Sequence, residues 1–243
     1  MTQERHNKKP SPTDGWQTYM QTDAMYFHAA RQAHVRAENC LKEIENAQKL
    51  WTSLDQEWER IISNHDDDLH SAYDKLEPIA IQLEGAHYGI GEAHAPLIKE
   101  IAVVHILCTA TLEAHIDSVA KEILSGKKQD LFRRLSLEAK WLFLPKITGL
   151  SGFDPGLEPF QSFSRLLKYR NDLIHYKGLK EKWIYGSIPQ FINQLGLTLE
   201  DSRKSISTVV GLVSELACQR KIKSPYWLRK DLNEMSYFEI FSD

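Results

Sequence analysis

From Ala24 to Ile62 apolar residues return at helical spacing, with no glycine or proline between them. Tyr26, Ala29/Ala30, Ala33, Ala37, Leu41, Ile44, Ala47, Trp51, Leu54, Trp58 and Ile61/Ile62 form one narrow stripe, as in a helix packed along another. Thr22-Asp23 supplies the cap. Ser63 to Asp68 reads as a turn, and Leu69 to Leu83 as a second helix, bent or interrupted near Pro78. The two would form an antiparallel hairpin. Gly85-Ala-His-Tyr-Gly-Ile-Gly reads as a loop. It is not a phosphate cradle, because no strand precedes it and the glycine spacing is wrong.

The pattern then changes to that of a bundle. Pro96 suits a first helical turn. Leu97 to Leu124 carries Ile101, Val104, Cys108, Leu112, Ile116, Val119 and Ile123, and Ser125-Gly126 ends it. This is the expected spine, with His105 and His115 as core histidines beside its stripe. Leu131 to Leu144 reads as one or two short helices with Ser136 as an internal cap, and Pro145 to Pro155 as a loop. Leu157 to Lys177 is a helix closed by Gly178. Leu179 to Leu197 is irregular, anchored by Trp183, Tyr185, Ile188, Phe191 and Ile192. Thr198, supported by Asp201, caps a last helix from Leu199 to about Ile222, which Pro225 stops. Tyr226, Trp227, Tyr237, Phe238 and Phe241 crowd the C-terminal tail, which should dock on this chain or on a partner. No alternating strand pattern of useful length appears. The expected fold is all-α: a polar, disordered tail (1–15), an N-terminal helical hairpin (16–92), a four- to five-helix bundle (93–223) and the aromatic tail (224–243).

Charge divides along the same line. Residues 1–100 hold 10 Lys and Arg against 17 Asp and Glu, and residues 101–243 hold 20 against 16. The basic excess gathers at Arg165, Lys168, Arg170, Lys177, Lys180 and Lys182, which face only Asp172 and Glu181. Such a neighbourhood can attract RNA, although a solvated basic helix face looks the same. Three separated cysteines (Cys40, Cys108, Cys218) without metal-ligand spacing point to a reducing cytoplasm and no zinc site. Asp66-Asp67-Asp68 is a turn run without a partner motif, so no metal and no cofactor is expected. No apolar run approaches a membrane span, and the polar N-terminus is no signal peptide.

The candidate chemistry lies in Tyr169-Arg170-Asn171-Asp172-Leu173-Ile174-His175-Tyr176. On a helix Asn171 and His175 stack at i, i+4 with Arg170 beside them, while Leu173 and Ile174 continue the apolar stripe of Phe163, Leu166 and Leu167. One helix edge would carry a fixed cation, an amide and an imidazole. These suit a phosphodiester: Arg for the anionic oxygens, His for proton transfer near neutral pH, Asn to orient either. The spacing alone is not selective, since Arg60 and His65 repeat it. A surface Arg beside a hydrogen-bonded, partly buried His is the plain structural alternative.

Tyr169 to Gly178, YRNDLIHYKG, resembles the signature of HEPN domains: Arg, four to six residues, then His, near the end of a long helix in an all-α bundle. Arg170, Asn171 and His175 fill the three positions. Thr111 to Ile116 also resembles the family's first core helix, and the resemblance covers residues 95 to 222. It implies a metal-independent endoribonuclease, in a toxin or antiviral defence role, with Arg170, His175 and Asn171 catalytic. Lys168, Lys177 and Arg165 would bind RNA, with Glu113 and Tyr176 in support. Catalytic members pair two domains across a cleft, so a single Arg/His set implies a homodimer, and a toxin implies an antitoxin or regulatory partner. A subgroup carries a Tyr two residues after the His, modified by a partner nucleotidyltransferase. Here Tyr176 comes one residue after and Lys177 holds the second place, which puts that mode of control in doubt. The residues also leave open a non-catalytic helical binding module, in which Arg170 and His175 only hold helices together.

Overall fold

The computed structural model describes residues 16–64, 69–175, 178, 190–228 and 238–242. The chain is all-α in its bulk. Helices α1 (Thr22–Asn64), α2 (Leu69–Ile123), α3 (Lys127–Arg133), α4 (Leu137–Ile147), α5 (Phe160–His175), α6 (Gln190–Gln194) and α7 (Leu199–Gln219) follow in order. Strands β1 (Trp16–Met20) and β2 (Phe238–Ser242) pair antiparallel, Trp16 opposite Ser242 and Met20 opposite Phe238. The expected tail 1–15, the turn with Asp66 to Asp68, and Trp183, Tyr185 and Ile188 lie outside the described residues.

Helix α1 begins where Asp23 accepts from the Ala24 N–H at 2.9 Å. Its buried side near the N-terminus is Ala24, Phe27, Ala30, Ala33 and Ala37, so Phe27 and not Tyr26 enters the core. Small alanines let α2 approach closely along this stretch. Helix α2 corrects the expected organisation. It is one continuous helix of 55 residues, about 80 Å long, and runs through Gly85, Gly89 and Gly91 and past the expected boundary at 92/93. Each helical glycine costs about 1 kcal/mol relative to alanine. Pairing with α1, seen in buried Ala86 and Ile44, offsets that cost. The clusters that include a third element reach no further out than Ala37 on α1 and Leu97 on α2. Beyond them the two helices form an arm, with a small cluster of Ile61, Ala72 and Leu76 near its tip.

The main core gathers Phe27, Leu112, Ile116, Trp141, Phe160, Phe163, Leu166 and Leu212. The predicted spine residues Ile101 through Val119 are buried, whereas Ile123 is 41 % exposed. Helix α2 also contains a window apolar and long enough to cross a membrane, with mean hydropathy 1.5, which the expectation of no such run missed. It forms the bundle spine, and 44 % of the window is buried inside the protein. Ser136 caps α4 by accepting from Ala139 N–H, and Thr198 caps α7 by accepting from Asp201 N–H, both as predicted. Helix α4 continues to Ile147 with Pro145 inside it, beyond the expected end at Leu144.

The described parts of the aromatic tail, 224–228 and 238–242, dock on this chain. A short 3-10 turn, Tyr226–Leu228, buries Trp227 against Phe27 at 5.4 Å between ring centroids. Tyr226 donates to Gln21 at 2.8 Å. Strand β2 then lies on β1, so the two ends of the described chain are neighbours.

Candidate functional site

Helix α5 is oriented from behind by a buried polar network. Phe160, Phe163 and Leu166 fill the core. Tyr169, on the same side, donates to Asp201 Oδ1 at 3.2 Å and sets its ring 5.2 Å from the His105 ring. Gly196 lies against that ring. A Cβ there would come within 2.5 Å of the Tyr169 ring, and its φ of +65° is one that only glycine adopts cheaply. The Gly196 carbonyl takes a hydrogen bond from His105 Nε2 at 2.7 Å. Because a carbonyl can only accept, Nε2 carries the proton, while Nδ1 lies 2.8 Å from the Ser205 hydroxyl, which also reaches the Asp201 carbonyl at 3.0 Å. Burial holds the His105 pKa below its ordinary value, with the Gly196 bond and Asp201 offsetting part of that. Burial, then the Asp201 carboxylate, pushes the Tyr169 phenol up, while Arg165 pulls it down. A second histidine repeats the arrangement, His34 Nδ1 lying 2.8 Å from the Ser202 hydroxyl. His115 is held by Asp23 at 3.0 Å. Thus α1, α2 and α7 are pinned together by His34, His105 and His115, of which the sequence had suggested the last two as core residues, and α5 joins them through Tyr169.

The opposite side of α5 faces an open cleft of about 640 Å³ between α2, the α3–α4 junction and α5. Arg170 and Asn171 both line it, and Arg170 Nη1 donates to Asn171 Oδ1 at 3.0 Å. Arg170 is half-buried and Asn171 exposed. Among the described residues neither has a partner on another helix. Lys168 also lines the cleft but is closed onto Asp172 at 2.7 Å. Glu113, named as a supporting residue, lies across the cleft, exposed, with Lys140 as its cation at 3.8 Å. Lys140 itself is buried and held by Asp117 at 2.9 Å. Glu138 completes the acidic side and accepts from Ser164 at 3.3 Å. The cleft therefore contains two cations and three carboxylates.

His175 is not among the lining residues. It is exposed, ends α5, and has no hydrogen-bond or ionic partner among the described residues. Five helical residues turn a side chain by about 140°, so Arg170 and His175 leave the helix on different sides. The expected single edge of cation, amide and imidazole is thus not one site: Arg170 and Asn171 share the cleft, while His175, one turn beyond Asn171 at i, i+4, lies outside its lining. Ile174 is 50 % exposed and does not continue the apolar stripe, whereas Leu173 packs on the Leu195 and Leu197 cluster. Arg165 is exposed outside the cleft lining, and Tyr176 and Lys177 lie outside the described residues. Thr109, Ser136, Glu138 and Ser164 are cleft residues that the motif did not indicate; Ser136 had declared itself only as a cap.

No family model matches the chain, and neither does any curated protein or solved structure.

Proposed function

We propose that the chain is a metal-independent endoribonuclease of the HEPN type, serving as a toxin or antiviral defence effector under the control of a partner or signal. One observation carries the reading: Arg170 and Asn171 face an open cleft and, among the described residues, are bound only to each other. A guanidinium with a structural task would be expected to meet a carboxylate or carbonyl of another helix. The separate position of His175 is accounted for by a homodimer, in which the His175 of one copy approaches the Arg170 of the other. The resemblance of the motif to HEPN domains supplies the chemistry.

In that chemistry a base removes the proton of a 2′-OH, the oxygen attacks the adjacent phosphorus, and an acid protonates the departing 5′-oxygen. The products are a 2′,3′-cyclic phosphate and a free 5′-hydroxyl. Arg170 would stabilise charge on the phosphorane, and His175 would move a proton. The test is to incubate the purified chain with total RNA in EDTA. Cleavage to cyclic-phosphate ends, lost in Arg170→Ala and His175→Ala, is expected; intact RNA, or activity that depends on added magnesium or manganese, would overturn the mechanism.

A second reading is a non-catalytic binding module. It is favoured by the acidic excess in the cleft, which is unsuited to an anion on its own. A folded dimer that leaves RNA intact under every condition tried would select it.

A further inference from the structure

The charge of the cleft sets a problem for an anionic substrate. Lys168 is occupied by Asp172, leaving Arg170 as the lining cation without a carboxylate partner, beside three acids. A polyanion needs further positive charge close by. Most cations on the surrounding elements cannot lend it. Lys140 is held by Asp117, Arg203 and Lys204 by Glu200, Arg220 by Glu122, and Arg36 and Lys99 by Glu100.

Helix α3 differs. Lys127, Lys128, Arg133 and Arg134 stand within eight residues, with Asp130 as the one acid among them. All four are exposed, and none has an ionic partner among the described residues. Phe132 is buried beneath the helix, which fixes the face that looks outward. Lys127, Leu131 and Arg134 fall at i, i+4 and i+7 and share it, and Leu131 is 63 % exposed. The segment runs directly into the cleft: Leu135, Ser136 and Leu137, which follow Arg134, are lining residues together with Arg170 and Asn171. Lys127 and Arg134 on that face, with Lys128 and Arg133 on its two flanks, thus lead along α3 toward the cleft, none with an ionic partner among the described residues.

We infer that α3 is a nucleic-acid-tracking surface, on which Lys127, Lys128, Arg133 and Arg134 hold the phosphates of a single-stranded RNA whose continuation enters the cleft at Arg170. The inference rests on the ribonuclease reading for the identity of the polyanion. A single strand is specified because in-line attack by a 2′-OH needs a backbone free to leave A-form geometry.

The test measures binding and cleavage separately, on the full chain. The fluorescence anisotropy of a short labelled single-stranded RNA is titrated with the His175→Ala chain at several salt concentrations. The same titration is made with K127Q/K128Q/R133Q/R134Q added, and with K42Q/K49Q added on the arm as a control. Glutamine keeps helix propensity and the sites are exposed, so far-UV circular dichroism should be unchanged. The α3 variant should bind at least about tenfold more weakly at low salt, and its slope of log affinity against log salt should be shallower by up to about 3. The arm variant should match its parent. Equal affinity and slope in the α3 variant, or no RNA binding by the parent, would overturn the inference. Cleavage by the chain with His175 intact is scored in parallel. Loss of binding in the α3 variant without any cleavage by the parent keeps this surface and removes the nuclease. Cleavage undiminished by the α3 changes does the reverse.

Discussion

Tyr169 looks into the protein and Arg170, the next residue, looks into the cleft. The inner side of α5 has every polar group engaged by another element: Tyr169 with Asp201, and behind it His105 with Gly196 and Ser205. On the outer side Arg170 reaches Asn171 and Lys168 reaches Asp172, all four on α5 itself, with the 3.3 Å bond from Ser164 to Glu138 as the contact that crosses to another helix. Hydrogen bonds between elements fix where a helix lies; bonds within one exposed helix face do not. The two sides should therefore respond to mutation in opposite ways, one through stability and the other through activity.

The largest effect tests the outer side. Under the ribonuclease reading, His175→Ala and Arg170→Ala should each lower the cleavage rate by about 10²–10⁴-fold. Thermal unfolding should shift by no more than about 2 °C, since neither group holds another helix. A large loss of stability in either variant would merge the two sides and end the contrast. Next comes Gly196→Ala on the inner side. The new Cβ meets the Tyr169 ring in a backbone conformation foreign to alanine. A loss of roughly 3 kcal/mol, or about 6–12 °C in Tm, is expected.

The third effect depends on pH. The folded-state pKa of His105 lies below 6.5, because burial disfavours the charged ring. Between that value and 6.5 the unfolded chain binds more protons, so stability rises with pH there. The contribution is fully present above about 6.5 and is lost as pH falls through the folded pKa. Tm measured from pH 8 to pH 5 should decline on the acid side. His105→Gln should flatten part of the decline, leaving the share of His34, whose pKa burial also lowers. Identical slopes in wild type and variant would remove His105 from the account. The smallest effect returns to the outer side: Lys168→Ala breaks an exposed i, i+4 pair and should change stability by under about 0.5 kcal/mol.

What was legible in the sequence follows the range of the interactions involved. The bounds of α1 were readable to within two residues, and the caps Ser136 and Thr198 were readable because a cap is settled within three residues. Gly85, Gly89 and Gly91 misled because local propensity argues for a loop, while the pairing that keeps them helical comes from a different helix. The β1–β2 pair was invisible for the same reason, since each five-residue strand finds its partner at the far end of the chain. In the site, Arg170 and Asn171 were found from their own residue types. Glu113 was named only through the family resemblance; the far walls at Thr109 and Glu138 come from α2 and α4, and no local pattern announces which helices will meet. The i, i+4 step from Asn171 to His175 was readable, but not that the end of α5 carries His175 beyond the lining of the cleft.

The continuous α2 also has a mechanical side. Thr109 and Glu113, in the wall of the cleft, and Leu76, near the tip of the arm, belong to a single rod. From Pro96 outward to Leu69 that rod is a lever of about 40 Å. A turn of about 10° at its base would sweep the tip through about 7 Å, by the same helical rise. Pro96 removes one backbone hydrogen bond at that base and makes it a weak point of α2 in bending, as Pro78 does nearer the tip. Helix α1 lies alongside with neither proline nor glycine, so it splints the joint. A load on the tip is carried to the base of the arm, and through it to the wall of the cleft.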